Sequence, residues 1–267
     1  MSGTAHTKDT RLQRLPLPIA LTQGDPAGIG PEIAIMLWEQ RHNNNVPLFT
    51  YYGSLDHIKA LRPDLRVVDL DLPMDAMDVF DDAFPVFDMP LKTPAIAGQL
   101  DVKNADQVIN CLNVALTHIN DGHAAALVTG PINKAVLYES GFKFQGHTDF
   151  LANQFGKSAD DVVMMLANEH VRAIPVTIHI PLKEVSSALS KDLLIKTITT
   201  TDRYLKHLYG LKSPKLAVTG LNPHAGEDGT IGREEVEIIT PALEALRQKG
   251  IAVDGPIAAD TLFSANI

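Results

Sequence analysis

Short apolar runs that stop at Gly or Pro and give way to helix-spaced segments recur along the 267-residue chain. Pro18 to Thr22 is the first, ending at Gly24-Asp-Pro-Ala-Gly28-Ile-Gly30-Pro31-Glu32. Pro31 suits the first position of a helix, and Glu32 complements the positive end of its dipole. A second run, Pro47 to Tyr52, precedes Gly53-Ser54 and another helix. Residues 66–95 alternate short apolar runs with Asp and Pro and read as strands and loops. Asp101 to Asn120 carries Val108, Cys111, Leu112, Ala115, Leu116 and Ile119 on one helical face. Ala124–Val128, Asp161–Ala167, Val171–Ile180 and Lys215–Thr219 read as further strands. Helices are expected from Pro131 to Gly141, near 183–189, over about 192–209, and from Arg233 to Lys249 with Gly250 as its cap. Strands that alternate with helices this way imply an α/β fold with a mostly parallel, doubly covered sheet.

The bulk chemistry narrows the function. Lys and Arg total 23 against 32 Asp and Glu, a net charge of −9. Nucleic-acid binding needs a basic face, so it is not expected. A small anionic ligand needs only a few local cations. The single cysteine, Cys111, excludes an intrachain disulfide and a Cys-rich zinc site. It falls on the apolar face of its helix and reads as a small buried hydrophobe. Residues 1–15 read as a polar leader without a signal-peptide core, and no segment has membrane-spanning length. The cytoplasm is the expected compartment, without membrane contact.

Three polar clusters follow apolar strands, at the sheet edge where α/β proteins bind ligands. In Gly24 to Glu32, Ile33 replaces the last Gly of a dinucleotide fingerprint. That loop is either an anion-binding helix start or a structural turn. In Thr129-Gly-Pro-Ile-Asn-Lys134, Lys134 opposes the helix dipole, as a lysine serving an anionic ligand does. Gly146-His-Thr-Asp149 then places His147 and Thr148 in a Gly-led loop. Taken singly, a loop histidine is best read as solvent-exposed. His179 closes the run Val176 to Ile180, and His224 lies in Asn222-Pro-His-Ala-Gly-Glu227 after another strand. Both could ligate a metal, although strand-end histidines are more often satisfied by backbone groups.

These blocks occur in one order with His179-Ile-Pro-Leu182 and Gly255-Pro-Ile-Ala-Ala-Asp-Thr-Leu-Phe263. Together they resemble the signature blocks of the 4-hydroxythreonine-4-phosphate dehydrogenases, over residues 18 to 263. The resemblance implies an isocitrate/isopropylmalate-dehydrogenase-like fold, with two α/β domains around a cleft, here 1–140 and 141–267. It implies a homodimer, substrate contacts from His147 and Thr148, and a divalent metal on His179 and His224. The family's third metal ligand is a histidine of the neighbouring subunit, from a block that does not occur in these 267 residues. No catalytic acid or base is assigned. Lys134 and Asp260 are candidate second contacts.

The implied reaction is metal-assisted, NAD- or NADP-dependent oxidation of 4-phosphohydroxy-L-threonine, a step of vitamin B6 synthesis. Histidine ligands favour zinc or cobalt over magnesium. Rival readings are a phospho-threonate or phospho-erythronate dehydrogenase, an acyl-phosphate transferase, and a non-catalytic metal-binding remnant. The last arises because Gly255 to Phe263 looks like the entry to a further element, which suggests a shortened family member.

Overall fold

The structure is a computed structural model that describes residues 17–157 and 161–262. The expected leader lies outside the described residues, as does Phe263 of the last motif. The chain divides into two compact units, Met1–Lys143 and Phe144–Ile267.

In the first unit the elements run β1 (Ile19–Thr22), α1 (Gly30–Glu39), β2 (Phe49–Gly53), α2 (Leu55–Leu61) and β3 (Val67–Asp69). Then come α3 (Ala76–Val79), β4 (Phe84–Asp88), α4 (Ala105–Asn120), β5 (Ala126–Thr129) and α5 (Lys134–Glu139). The strands form one sheet in the order β3-β4-β2-β1-β5. Every neighbouring pair is parallel, with Ile19 opposite both Phe49 and Ala126. The expected parallel sheet is therefore present.

Alternate strand residues feed opposite faces. Leu21, Phe49, Tyr51, Phe84 and Val86 pack against Ala34, Ile35 and Trp38 of α1, Ile58 of α2, and Phe80. The Trp38 indole N–H donates to the Phe80 carbonyl at 2.8 Å, so the one polar atom of that ring is satisfied inside the core. On the other face Ala20 and Tyr52 meet Met89, Cys111, Ala115 and Ala124. Cys111 is fully buried, and burial pushes its thiol pKa up. It behaves as core, not as a nucleophile.

The winding direction reverses between β1 and β5, the place where such sheets form a crevice. Here the two following loops are packed backbone to backbone. Asp25 N–H donates to the Pro131 carbonyl at 2.9 Å. A Cβ on Gly24 would lie 2.3 Å from that carbonyl oxygen, and one on Gly30 would lie 2.1 Å from the Gln23 carbonyl oxygen. These glycines serve close backbone approach, the structural-turn reading of the motif.

The second unit holds α6 (His147–Gln154), β6 (Leu166–Ala167), β7 (Arg172–Ala173), α7 (Val185–Ala188) and α8 (Lys191–Leu208). It continues with β8 (Leu216–Thr219), α9 (Thr240–Gln248), β9 (Val253–Ile257) and α10 (Ala259–Leu262). A π-type turn over Glu235–Ile239 leads into α9. Ser190 caps α8 by accepting from the Leu193 amide at 3.2 Å. Its core joins Leu194 and Ile198 of α8 to Ile239, Ala242, Leu243 and Leu246, with Val253 of β9.

Two strand expectations fail here. Asp161–Ala167 and Val171–Ile180 shrink to a two-residue antiparallel pair, Leu166–Ala167 against Arg172–Ala173. Pro175 explains the second: it has no N–H for a ladder and restricts the residue before it. His179 therefore does not close a strand. It stands on a bend with φ 58°, left-handed for a non-glycine residue.

Candidate functional site

β8 and β9 are parallel neighbours, with Leu216 opposite Val253 and Thr219 opposite Ile257. Parallel pairing sends the chain out of both strands at the same sheet edge. The turn after β8 carries His224, and α10 after β9 carries Asp260. Across that edge His224 Nδ1 lies 3.1 Å from Asp260 Oδ2. The side chains are 59% and 53% exposed, so solvent weakens the contact. What the contact does is orient: it occupies Nδ1 and leaves Nε2 as the other ring nitrogen.

The turn that presents His224 has an uncommon backbone. His224, Ala225, Gly226, Glu227 and Asp228 all have positive φ, at 52°, 53°, 78°, 42° and 53°. Left-handed conformation costs a non-glycine residue about 1–2 kcal/mol. Four such residues within five positions persist only where the surroundings over-determine them.

Those surroundings are acidic. Asn222 donates its backbone N–H to Glu235 Oε1 at 2.7 Å. Its side-chain amide donates to Glu235 Oε2 at 2.9 Å and to Glu234 Oε2 at 2.7 Å. The Ser186 hydroxyl donates to Glu234 Oε1. Bonds from Ser186 and Asn222 hold the Glu234 carboxyl at a pKa of about 2. Burial pushes the Glu235 pKa up, but bonds from Asn222 and nearby backbone groups outweigh it and leave the value lowered. Both side chains are therefore carboxylates at neutral pH.

The other expected site residues are placed as follows. His147 and Thr148 are the first two residues of α6, not members of a loop. Gly146 precedes the helix, Asp149 reaches back to accept from the Gln145 amide at 3.3 Å, and Phe150 and Ala152 are buried. That local pattern starts a helix where the sequence reading placed a loop. Both residues are half-buried at the helix's positive end. His179 is exposed. Lys134 is the exposed first residue of α5, beside the Asn133 cap, as expected.

Among the described residues no group of three His, Cys, Asp or Glu side chains is placed to hold a metal ion. The second unit brings His224 together with Asp260, but does not gather His179 with them into a three-ligand centre. Asn222, Glu234 and Glu235 had no role in the sequence reading. The signal was the Glu pair in the first turn of a helix, which is equally the mark of dipole compensation.

The sequence matches the family described as pyridoxal phosphate biosynthetic protein PdxA over residues 48–267. The chain belongs to this family. It is 44% identical over 247 residues to a 4-hydroxythreonine-4-phosphate dehydrogenase of Zymomonas mobilis, covering 92% of this chain and 73% of that one. A Xanthobacter autotrophicus protein of the same name is 41% identical, with 93% and 73% covered. Among solved structures, the 4-hydroxythreonine-4-phosphate dehydrogenase of Klebsiella pneumoniae aligns with a TM-score of 0.81 at 33% identity, covering 92% of this chain and 77% of that one. The family members are dehydrogenases of the isocitrate-dehydrogenase-like α/β class, which makes this chain an oxidoreductase. No helix among the described residues is long and apolar enough to cross a membrane.

Proposed function

We propose that the chain oxidises the C3 hydroxyl of 4-phosphohydroxy-L-threonine, with NAD or NADP as acceptor and a divalent metal on His179 and His224. The product, 2-amino-3-oxo-4-phosphohydroxybutyrate, is a β-keto acid and decarboxylates to 3-amino-2-oxopropyl phosphate. One observation carries the site: an exposed imidazole whose Nδ1 is engaged by a carboxylate at the ends of adjacent parallel strands.

The donor chemistry fits such a cation. An imidazole oriented by a carboxylate, as His224 is by Asp260, suits zinc or cobalt better than magnesium. A divalent cation held by His179 and His224 would supply Lewis acidity toward the hydroxyl, and NAD or NADP would supply the hydride acceptor. Asp260 accepts a hydrogen bond from His224 Nδ1–H and so would leave Nε2 free to face the cation. His147 and Thr148, at the positive end of α6, hold the substrate's anionic group. The active species is a homodimer, in which a neighbouring subunit completes the ligand set.

The test is NADH formation from 4-phosphohydroxythreonine with added zinc, cobalt or magnesium and after chelation, beside phosphorylated threonate and erythronate. Metal-dependent turnover of the amino acid above the other two is expected. Turnover that chelation leaves untouched, or that prefers a threonate, overturns the reading.

A further inference from the structure

The left-handed turn His224–Asp228 is held through Asn222 by two acidic side chains, Glu234 and Glu235, of which Glu235 is the buried one. Glu235 is only 2% exposed. Burying a carboxylate is unfavourable unless hydrogen bonds replace its water. Glu235 receives those bonds from Asn222, two residues before His224, through both the backbone and the side-chain amide. The packing around it is close. A Cβ on Gly226, inside the turn, would lie 2.6 Å from Glu235 Oε2, and one on Gly220 would lie 3.0 Å from Oε1. One on Gly232 would lie 2.2 Å from the Asn222 amide nitrogen.

Main-chain bonds tie the turn down as well, beside the Asn222–Glu234 and His224–Asp260 contacts. Ala225 N–H donates to Asn222 O at 3.1 Å, and Ile231 N–H to Gly226 O at 3.2 Å. Gly220 N–H donates to Ile257 O at 2.9 Å, which fixes the turn's entry against β9. Glu235 thus joins the start of the α9 segment to the residues that aim His224. It also opens the π-type turn, a local irregularity that re-aims side chains and recurs at functional sites.

We propose that Glu235 is a positioning residue: through Asn222 it clamps the left-handed turn and so sets how tightly His224 binds a divalent cation. This rests on the reading of His224 as a ligand. Glu235 does not touch the cation. It removes the freedom of the loop that carries the imidazole, so that little ordering remains when the cation binds. Asp260 fixes the ring, and Glu235 fixes the backbone beneath it.

Cobalt(II) affinity of the full chain, read by competition with a chromogenic chelator, tests the proposal. The variants are His224→Ala, Asn222→Ala, Glu235→Gln and Leu246→Val. The last trims the core of the same unit without touching the turn, and controls for lost stability. Asn222→Ala keeps the backbone bond to Glu235, so it folds even where Glu235→Gln does not. Asn222→Ala and Glu235→Gln are expected to weaken binding by about tenfold or more, by restoring freedom to the loop that carries the imidazole. Leu246→Val binds as the unsubstituted chain does. Amide hydrogen exchange on the unsubstituted chain adds a readout that needs no variant: Asn222 N–H should be strongly protected.

Three results overturn the inference, and they are distinguishable. If His224→Ala loses cobalt binding while Asn222→Ala and Glu235→Gln retain it, the clamp is wrong and the metal reading stands. If His224→Ala binds like the unsubstituted chain, or neither binds, the metal reading itself is wrong. If the Asn222 amide exchanges rapidly, the turn is not clamped.

Discussion

His224 Nδ1 and Asp260 Oδ2 lie 3.1 Å apart, joined across the carboxyl ends of β8 and β9. The parallel register makes this contact, since the two residues are remote in sequence. Removing the carboxylate frees the imidazole to rotate and to change tautomer. Asp260→Asn is expected to weaken zinc or cobalt binding about 10- to 100-fold, with little change in thermal stability because both groups are half-exposed. Isothermal titration with the metal checks this; unchanged affinity means that Asp260 does not order the ring.

The first turn of α6 makes a prediction about substrate. His147 and Thr148 sit where the helix favours negative charge. A hydrogen bond to a charged group contributes about 1.5–3 kcal/mol, roughly tenfold or more in affinity. Thr148→Val and His147→Ala should each raise KM by about that factor. If their loss falls entirely in kcat, the two residues act on the chemical step and do not anchor an anion.

Much of this was legible in the chain, and the failures have physical causes. The apolar runs at Ile19, Phe49 and Leu216 became buried or half-buried strands because each ends at a turn and finds a parallel neighbour. The helix from Ala105 followed its apolar spacing onto Cys111 and Ala115. Val171–Ile180 is apolar and β-branched, but Pro175 inside the run lacks a ladder N–H and limits the strand to Arg172–Ala173. Gly146 resembles a turn residue and points to a loop at His147 and Thr148, whereas Asp149 and Phe150 decide for a helix. The Asn222–Glu235 clamp was not legible at all. Nothing in the spacing shows that a glutamate in a helix's first turn points inward beneath a loop from another strand.

Glu234 gives a pH signature. Bonds from Ser186 and Asn222 depress its folded-state pKa to about 2, against 4.5 for an ordinary Glu. A depressed carboxyl stabilises the fold above the unfolded-state value, and that stabilisation fades as pH falls from 4.5 toward 2. Ser186→Ala removes one source of the shift. Its melting temperature should fall below that of the unsubstituted chain at pH 7, and the gap should narrow steadily below pH 4.5. A gap that stays constant down to pH 3 would show that Ser186 acts through packing, not through the carboxylate.

The close packing of the loop after β1 predicts an asymmetry between glycines. At Gly30 an added Cβ meets the Gln23 carbonyl oxygen at 2.1 Å, a backbone atom that no rotamer change can move. Gly98 instead has positive φ, at 74°, with nothing within 4 Å of the added carbon. The two substitutions to Ala therefore test different terms. Gly98→Ala carries only the left-handed backbone cost, about 1–2 kcal/mol. Gly30→Ala must separate α1 from β1 or displace the loop, and overpacking of that kind costs about 1–3 kcal/mol or more. Urea unfolding should place Gly30→Ala clearly below Gly98→Ala in midpoint. Equal midpoints would mean that the loop yields easily at Gly30, and that the glycine there reflects backbone conformation and not close approach.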